Sequence, residues 1–419
     1  MIDIKLIRAN QDEFSARLLK KGVSIDFTDF LSKDALRREL MTKNENLRSA
    51  KKKLSREFSA LNKPCGDVSE LERKIEDADA QMLSLEAQIK ELDAYIEDIL
   101  RALPNPPADG VREGGKENNE VIKTVGEQPV FDFTPRDHME LAQLNNLIDY
   151  ERGVKIGGSG FWVYRGAAAQ LEWALLNYFV SAHLEDKYEM LFLPHILNEQ
   201  CGFVAGQFPK FADEVFYLDG TKNFILPTAE TALVNLHRDE ILSETELPLK
   251  YFSFTPCYRK EAGSHRKEER GMIRGHQFNK VELFQYAHPD KSEESLWEML
   301  EKAERLVCNL GLHYRVSKLA AQDCSWAMGK TYDIEVWIPG MGIYKEVSSV
   351  SNAYEYQARR GNIRFRDSAK KLRHVHTLNA SGLATSRILP AIFEQFQQAD
   401  RRIKVPDVLK KWLQKDYLT

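Results

Sequence analysis

The stretch 258–283 combines permanent cations, an aromatic ring and carboxylates in an order suited to binding a nucleoside triphosphate. Arg259 and Glu261 end one apolar strand, and Phe278 and Glu282 lie on a second strand that follows a charged turn. Arginine suits phosphate because it is always charged and presents a fork of donors. A lone Arg-x-Glu pair is usually a solvated surface pair, so the interpretation depends on the whole pattern.

Three further clusters carry polar side chains at positions that a strand or a helix would align. Thr228 and Glu230 stand two apart at the end of a predicted strand, so their side chains point the same way. Alternate polar residues of 345–352 would line one face of another strand. In 376–387 a polar strand end turns at a glycine into a helix that carries Arg387. Taken alone, each cluster also has a structural explanation, such as a cross-strand pair or an edge strand.

The strands that would position these clusters are short apolar or aromatic runs, most of them joined by short turns. We predict strands at 224–226, 251–254, 277–283 and 332–337. Strands connected in this way pair antiparallel, which favours an α+β sheet over a doubly wound one. Neither G-x-G-x-x-G nor P-loop spacing occurs, so an ATP site in this chain must use another architecture.

Two N-terminal segments have the periodicity of long helices. Apolar residues of 67–103 recur in alternating steps of four and three, the repeat typical of coiled coils. Leucines of 30–62 fall seven residues apart: Leu40, Leu47, Leu54 and Leu61. The turn 62–67 contains both proline and glycine. Helices joined so closely must fold back, which predicts an antiparallel hairpin over about 30–100.

The two predicted helices carry opposite charge, and two interpretations of this charge stay open. Residues 33–63 hold ten Lys or Arg against four acids, and residues 67–100 hold eleven acids against three bases. Opposite charges could pair the helices along their flanks. Alternatively, the basic face, with Lys51, Lys52 and Lys53 in its distal half, could bind a phosphate backbone.

A segment rich in Pro, Gly and Asn, 103–119, reads as a linker. We place the boundary near residue 108, which predicts an N-terminal domain over 1–107 and a second domain over 108–419. A chain of 419 residues exceeds the usual size of one core, so two domains are expected, and three also fit the length.

Composition bounds the class of protein and its compartment. With 43% hydrophobic and 29% charged residues and a net charge of -4, the chain should be soluble, and any nucleic-acid contact must use a local patch. Five widely spaced cysteines without C-x-x-C indicate free thiols and no zinc site. We find no signal-peptide core and no run of 18 apolar residues, so we expect a cytoplasmic protein without a membrane segment.

Together, these motifs resemble the class II aminoacyl-tRNA synthetases and, within that class, the bacterial-type seryl-tRNA synthetases. The resemblance covers nearly the whole chain. Residues 259–282 resemble class motif 2, residues 381–387 resemble motif 3, and 188–194 stand where the dimer-forming motif 1 would fall. Three stretches narrow the resemblance to the serine enzyme: 228–230, 346–349 and 377–381. The resemblance implies a class II catalytic domain, an antiparallel sheet flanked by helices, preceded by a coiled-coil arm.

The resemblance implies an ATP site. Arg259 would clamp the α-phosphate and Arg387 the γ-phosphate. Adenine would stack between Phe278 and Arg387, and Glu261 would hold its amino group beside the main chain near Gly275. The implied ATP-binding residues are Arg259, Lys260, Glu261, Gly275, Phe278, Glu346, Val347, Ser348, Ser349 and Arg387.

The resemblance also implies a metal ion and a serine pocket. Glu346 and Ser349 would hold Mg²⁺, and no zinc is expected. Acidic groups in the pocket suit the ammonium of serine, and polar groups suit its hydroxyl. The implied serine-binding residues are Thr228, Ala229, Glu230, Glu282, Asn379 and Ser381.

The implied enzyme is a homodimeric serine–tRNA ligase. It would activate L-serine with ATP to seryl-adenylate and then transfer serine to tRNA(Ser), and to tRNA(Sec) where that tRNA exists. In this family the arm grips the long variable arm of the tRNA, which favours the phosphate-binding interpretation of the basic helix. The implied candidate contacts are Arg48, Lys51, Lys52 and Arg56.

Some positions depart from the usual pattern of the family. The motif 2 turn, 264–269, is unusually charged, and Gly160 and Val350 stand where arginine and cysteine are frequent. These departures leave open a divergent paralogue with an altered role, such as an inhibitor-resistant second copy. A serine-activating ligase that loads a carrier protein is a further alternative, although relatives of that kind lack the arm.

Overall fold

The computed structural model describes residues 1–61, 69–261 and 271–418, without the side chains of residues 60 and 61. The turn expected at 62–67 and the charged motif 2 turn at 264–269 therefore lie outside the described residues.

The chain divides into two compact units. The smaller unit comprises Ile2–Leu19 and Val23–Leu103, and the larger comprises Met1, Lys20–Gly22 and Pro104–Thr419.

The smaller unit is helical. Its helices are α1 (Ile4–Ala9), α2 (Gln11–Lys20), α3 (Thr28–Leu61) and α4 (Ser69–Ala102). Near the start of α3 the rings of Phe27 and Phe30 pack edge to face with centroids 5.7 Å apart, and both side chains are buried. This aromatic cluster anchors the end of a helix pair that is otherwise largely exposed to solvent.

Helices α3 and α4 run antiparallel, as their ion pairs show. Arg37 pairs with Asp93, Arg48 with Glu86 at 3.2 Å, and Lys51 with Asp79, so numbers rise on one helix as they fall on the other. The predicted helical hairpin is confirmed over the described residues. Its opposite charges do pair along the flanks.

The larger unit mixes helices and strands. Its helices are α5 (His138–Leu144), α6 (Tyr150–Gly157), α7 (Ala167–Glu185), α8 (Glu199–Val204), α9 (Glu230–Leu233), α10 (Ser292–Asn309), α11 (Tyr356–Arg360), α12 (Thr385–Gln395) and α13 (Lys410–Leu413). Short 3-10 helices lie at Lys116–Asn118, Ala212–Glu214, Glu244–Glu246, Gly271–Ile273, Pro289–Lys291 and Asp407–Leu409. None of the described helices is both long and apolar enough to cross a membrane.

Its strands are β1 (Glu120–Val125), β2 (Ile148–Asp149), β3 (Val163–Tyr164), β4 (Glu189–Met190), β5 (Ile196–Leu197), β6 (Phe216–Tyr217), β7 (Phe224–Ile225), β8 (Ile241–Ser243), β9 (Leu249–Tyr258), β10 (Gln277–Ala287), β11 (Tyr314–Lys318), β12 (Lys330–Ile338), β13 (Ile343–Tyr354), β14 (Arg364–Arg366), β15 (Leu372–His374) and β16 (His376–Ala384).

Eight strands form the central sheet, in the order β1-β11-β12-β13-β16-β10-β9-β4. Every neighbouring pair is antiparallel except β4 and β9. Three small sheets accompany it: β15-β14-β8, β2-β3 and β5-β7-β6. The predicted antiparallel α+β sheet is confirmed.

The two faces of the central sheet differ because side chains alternate along each strand. On β12 the apolar residues Tyr332, Ile334 and Val336 join the main core, whereas Asp333 and Glu335 line a cavity on the other face. The same alternation holds over residues 280–283 of β10, and helices α7, α10 and α12 cover the apolar face. The sheet therefore presents a polar floor on one side.

Candidate active site

A cavity of about 550 Å³ lies over the polar face of the sheet. Nine of the residues expected in the ATP and serine sites line it: Thr228, Glu230, Arg259, Glu261, Glu282, Glu346, Ser349, Asn379 and Ser381. A smaller cavity of about 100 Å³ shares Arg259, Glu261, Glu346 and Ser381 with it. The smaller cavity adds four more expected residues: Gly275, Phe278, Val347 and Arg387.

Three residues expected in the sites line neither cavity. Ala229 is fully buried in an apolar cluster. The Nζ of Lys260 lies 5.9 Å from the ring centroid of Tyr217. The buried hydroxyl of Ser348 donates to the main-chain oxygen of Ser381 at 2.7 Å. Ser348 thus contacts the main chain of Ser381, a residue that lines both cavities.

One end of the larger cavity is built on two buried carboxylates. The amide nitrogen of Asn379 donates to Glu230 Oε2 and to Glu282 Oε1, at 3.2 Å in each case. Gln357 donates to Glu230 Oε1 at 2.8 Å from the opposite side. Asn379 Oδ1 accepts no hydrogen bond from any described residue. This end of the cavity therefore offers carboxylates and an amide oxygen to a cation.

The electrostatics of this end favour a positive ligand. Burial, together with the negative charge of Glu282, raises the pKa of Glu230 to about 7. A ligand ammonium would stabilise the ionised form of Glu230, which burial and the charge of Glu282 disfavour.

Lys280 lies on the floor between the two cavities, and the sequence interpretation did not single it out. Its Nζ is 2.7 Å from Thr228 Oγ1 and 2.5 Å from Glu282 Oε2. The only sequence signal was its position two residues before Glu282 on a strand, where both side chains share a face.

The smaller cavity has a cation and an aromatic ring on one wall. The Arg259 guanidinium carbon lies 5.2 Å from the Phe278 ring centroid, and Arg259 Nε donates to the main-chain oxygen of Pro227 at 3.3 Å. Tyr258 and Gln277 are partners in the β9–β10 ladder, and the amide of Arg259 donates to the oxygen of His276 at 3.0 Å. The antiparallel register thus brings Arg259 beside Phe278.

Two glycines allow close backbone approach behind this wall. A Cβ on Gly275 would lie 2.2 Å from the Trp162 ring, and a Cβ on Gly160 would lie 2.5 Å from the His276 ring. Gly160 also has a φ of +84°, a conformation that glycine adopts most easily. The glycine at 160, a departure from the family pattern, therefore fits its neighbours sterically.

Arg387 and the polar residues of β12 and β13 form the other wall. Arg387 Nη1 lies 3.3 Å from Glu346 Oε2, and Ser349 donates to Asp333 Oδ1 at 2.6 Å. Burial alone would raise the pKa of Glu346, but the charges of Arg387 and then Arg259 lower it below its ordinary value. Burial and the charge of Glu346 raise the pKa of Asp333 well above its ordinary range.

An irregularity in β13 explains why Glu346 and Ser349, three residues apart, line the same cavity. Glu346 pairs with Glu335 and Ser348 with Ile334, so β13 carries one extra residue at Val347. Such a bulge interrupts the two-residue alternation and re-aims the side chains that follow. The alternation expected over 345–352 is therefore broken here, which turns Ser348 away and Ser349 inward.

The candidate tRNA contacts on α3 differ in their pairing. Arg48 and Lys51 are engaged with Glu86 and Asp79 on α4. Lys52 and Arg56 are exposed and form no ion pair with any described residue. Lys52 and Arg56 are thus the cations that phosphate could reach without breaking a pair.

Comparisons with known proteins agree with this architecture. Residues 1–107 match the family model of the seryl-tRNA synthetase N-terminal domain, and residues 216–396 match that of the tRNA synthetase class II core domain (G, H, P, S and T). Serine–tRNA ligase 2 of Clostridium acetobutylicum is 55% identical over 100% of both chains. The chain belongs to the seryl-tRNA synthetases.

Two other seryl-tRNA synthetases also match this chain over nearly its full length, at lower sequence identity. Serine–tRNA ligase of Thermodesulfovibrio yellowstonii is 43% identical over 99% of both chains. The crystal structure of seryl-tRNA synthetase from Pyrococcus horikoshii complexed with ATP is 32% identical, covers 100% of this chain and 99% of its own, and superimposes with a TM-score of 0.94. The predicted family, fold class and serine–tRNA ligase activity are confirmed, and neither the altered paralogue nor the carrier-protein ligase is favoured.

Proposed function

We propose that this seryl-tRNA synthetase forms seryl-adenylate from L-serine and ATP in the larger cavity and then transfers serine to tRNA(Ser). One observation carries the proposal: paired carboxylates, an Arg–Phe wall and an Arg–Glu–Ser wall converge on one polar sheet face. A carboxylate oxygen of serine attacks the α-phosphorus, and the bond to the β-phosphate breaks, so diphosphate leaves with the electron pair. A hydroxyl of the terminal ribose of tRNA then attacks the serine carbonyl, and AMP leaves.

Serine binds at the carboxylate end in this proposal. Its ammonium lies among the carboxylates of Glu230 and Glu282 and the amide oxygen of Asn379, which accepts no hydrogen bond from any described residue. The ammonium supplies the positive charge that offsets burial of Glu230. Fixing the ammonium also orients the serine carboxylate, and positioning of this kind lowers the barrier of a two-substrate reaction.

ATP binds along the two arginine-bearing walls in this proposal, as the complex of the Pyrococcus horikoshii relative with ATP supports. Without ligand, Arg259 donates to Pro227 and Arg387 to the main chain of Glu346. Phosphate oxygens offer both guanidinium groups charged acceptors, which make stronger hydrogen bonds than carbonyl oxygens do. Arg259 would then neutralise charge on the α-phosphate as it changes geometry.

The residues of the Glu346 wall fit a magnesium ion. Magnesium prefers oxygen ligands and is usually held by one or two protein groups together with phosphates and water. Glu346 and Ser349 offer a carboxylate and a hydroxyl, and the hydroxyl of Ser349 donates a hydrogen bond to Asp333, which leaves its lone pairs for a cation in the cavity. No group of three or more His, Cys, Asp or Glu among the described residues could hold a metal alone. When bound, the ion would neutralise phosphate charge.

A homodimer is the proposed assembly. Large apolar side chains on and after helix α7 are exposed in the single chain, among them Trp173 at 61% and Phe192 at 82% of their full surface. Leu184 and Ile196 are exposed nearby in sequence, at 51% and 55%. Phe192 lies within the motif 1 stretch 188–194, and Leu184 and Ile196 lie on either side of it; large exposed apolar surface is typical of interaction sites. Charging of tRNA(Sec), a cytoplasmic location and the absence of zinc stay predictions.

Two assays with purified protein test the proposed function. Serine-dependent exchange of diphosphate into ATP reports adenylate formation, and charging of tRNA with and without a long variable arm reports transfer. We expect serine to support exchange of diphosphate into ATP. We also expect the enzyme to charge the tRNA with the long variable arm and not the tRNA without it. Deletion of about 30–100 should abolish charging and leave exchange intact. No exchange with serine would contradict the proposal.

A further inference from the structure

Lys280 is a buried cation at the centre of the proposed serine pocket. Only 6% of its surface is exposed, and it lies on β10 two residues before Glu282. Its ammonium contacts the Thr228 hydroxyl oxygen at 2.7 Å and Glu282 Oε2 at 2.5 Å. Burial of a charged ammonium costs free energy unless the ammonium is paired and hydrogen-bonded, and both contacts of Lys280 serve that purpose.

The first contact fixes the direction of the Thr228 hydroxyl. Thr228 Oγ1 accepts from Lys280 Nζ and, at 3.3 Å, from the amide of Glu230. A hydroxyl has two lone pairs and one proton, so both acceptor positions are taken. The proton of Thr228 has no acceptor among the described residues and remains for a ligand in the cavity that Thr228 lines.

The second contact keeps Glu282 an acceptor. The fully buried Glu282 accepts from Asn379 at Oε1, whereas its Oε2 lies beside Lys280 without an aligned donor among the described residues. The contact is an ion pair, and a carboxylate oxygen beside one cation still has a second lone pair that can accept. The adjacent ammonium stabilises the carboxylate, which can only accept.

We propose that Lys280 is a positioning residue that sets the hydrogen-bond polarity of the serine pocket, with Thr228 as donor and Glu282 as acceptor toward the substrate hydroxyl. This inference rests on the proposed function. Only a group that both accepts and donates satisfies the two partners, and serine carries one at its β-carbon. Alanine leaves two buried polar groups unpaired, which is the strongest available basis for rejecting it.

Substrate analogues test the polarity in the unmodified enzyme. In serine-dependent exchange, 3-fluoroalanine keeps the size of the substituent but cannot donate to Glu282. We expect it to compete with serine no better than alanine does, with both binding at least about tenfold more weakly than serine. If 3-fluoroalanine bound as tightly as serine in this competition, the proposal would be overturned. The experiment uses the unmodified enzyme alone.

The variant Lys280→Met tests the cation itself. We expect its serine KM to rise about tenfold or more, its ratio of kcat/KM for serine over alanine to fall by a similar factor, and its ATP KM to stay within about twofold. Lys250→Met is the matched control. Lys250 lies on β9, the strand beside β10, pairs with Glu298 of α10 at 2.7 Å and lines neither cavity. We expect this control to keep the selectivity of the unmodified enzyme.

The outcomes separate the two proposals. Exchange by the unmodified enzyme together with unchanged serine selectivity in Lys280→Met would overturn the role of Lys280 alone. Absence of exchange by the unmodified enzyme would overturn both. A loss confined to thermal stability, with kinetic selectivity intact, would mark Lys280 as structural and contradict the inference.

Discussion

Arg387 donates from Nη1 to the main-chain oxygen of Glu346 at 2.8 Å, and the same nitrogen lies 3.3 Å from the Glu346 carboxylate. The guanidinium group of Arg387 thus contacts both the main chain and the carboxylate of Glu346, a proposed magnesium ligand. Binding of ATP must exchange these contacts for phosphate, because a carboxylate paired with arginine has less charge to offer a metal. Arg387 and Glu346 therefore partly neutralise each other's charge.

Replacing Arg387 tests this exchange. We expect Arg387→Met to lower kcat/KM for ATP in the exchange assay by about 100- to 1000-fold, the usual loss for a group that neutralises transition-state charge. Arg387→Lys should recover only part of it, since lysine cannot form the bidentate contact. Arg402→Met, at an exposed pair with Asp400, should leave the rate unchanged. Full activity of Arg387→Met would remove it from the ATP site.

The raised pKa of Glu230 predicts a pH dependence. With a pKa of about 7 in the empty site, Glu230 loses its charge as pH falls from 8 to 6. We expect kcat/KM for serine to fall about tenfold over that range, because the protonated carboxyl no longer attracts the ammonium. Glu346, whose pKa is lowered, stays ionised, so the ATP KM should change little. A flat serine profile would contradict this assignment, and Glu230→Gln should show low activity at every pH.

Glu172 predicts a pH dependence of folding stability. Its Oε1 accepts from Asn279 and Thr385 at 2.7 Å each, and burial, partly offset by these bonds, raises its pKa to about 7. Between its ordinary pKa and 7 the folded state holds a proton that the unfolded state releases, so the free energy of unfolding falls as pH rises through that window. We expect the free energy of unfolding of Glu172→Gln, relative to that of the unmodified protein, to rise by about 3 kcal/mol between pH 5 and pH 8.

Urea unfolding at the two pH values measures the Glu172 effect. Glu185→Gln is the control, because Glu185 ends the same helix and is exposed. Equal pH dependence in Glu172→Gln and the unmodified protein would show that Glu172 is not the group responsible.

The pairing on the arm predicts unequal roles for its cations. We expect the double variant Lys52→Glu and Arg56→Glu to lower kcat/KM for tRNA charging about tenfold or more and to reduce its salt dependence, because both cations are exposed and unpaired among the described residues. Diphosphate exchange should not change. Lys90→Glu, on the acidic helix, is the matched control. An equal loss in this control would indicate a general charge effect.

The sequence alone predicted the helical hairpin, four strands of the larger unit and most of the residues that line the two cavities. The repeat over 67–103 and the spaced leucines of 30–62 could be predicted because coiled-coil periodicity is local and needs no partner to be recognised. The Arg-x-Glu strand and the helix that carries Arg387 could be predicted because their order matches a family pattern, but the turn expected at Gly382 was wrong, since β16 continues through it to Ala384. Each of these features depends on residues within one continuous segment of the sequence.

Only the tertiary structure decided which neighbours complete the site. Gln357 hydrogen-bonds to Glu230, and Ser349 hydrogen-bonds to Asp333 on the neighbouring strand. No local sequence pattern predicts such pairs. The extra residue at Val347 exchanged the faces of the side chains after it, since a slip of one residue turns every following side chain over. Lys280 could be read as a strand cation from the sequence, but its proposed role follows from packing that places two buried partners, Thr228 and Glu282, beside its ammonium.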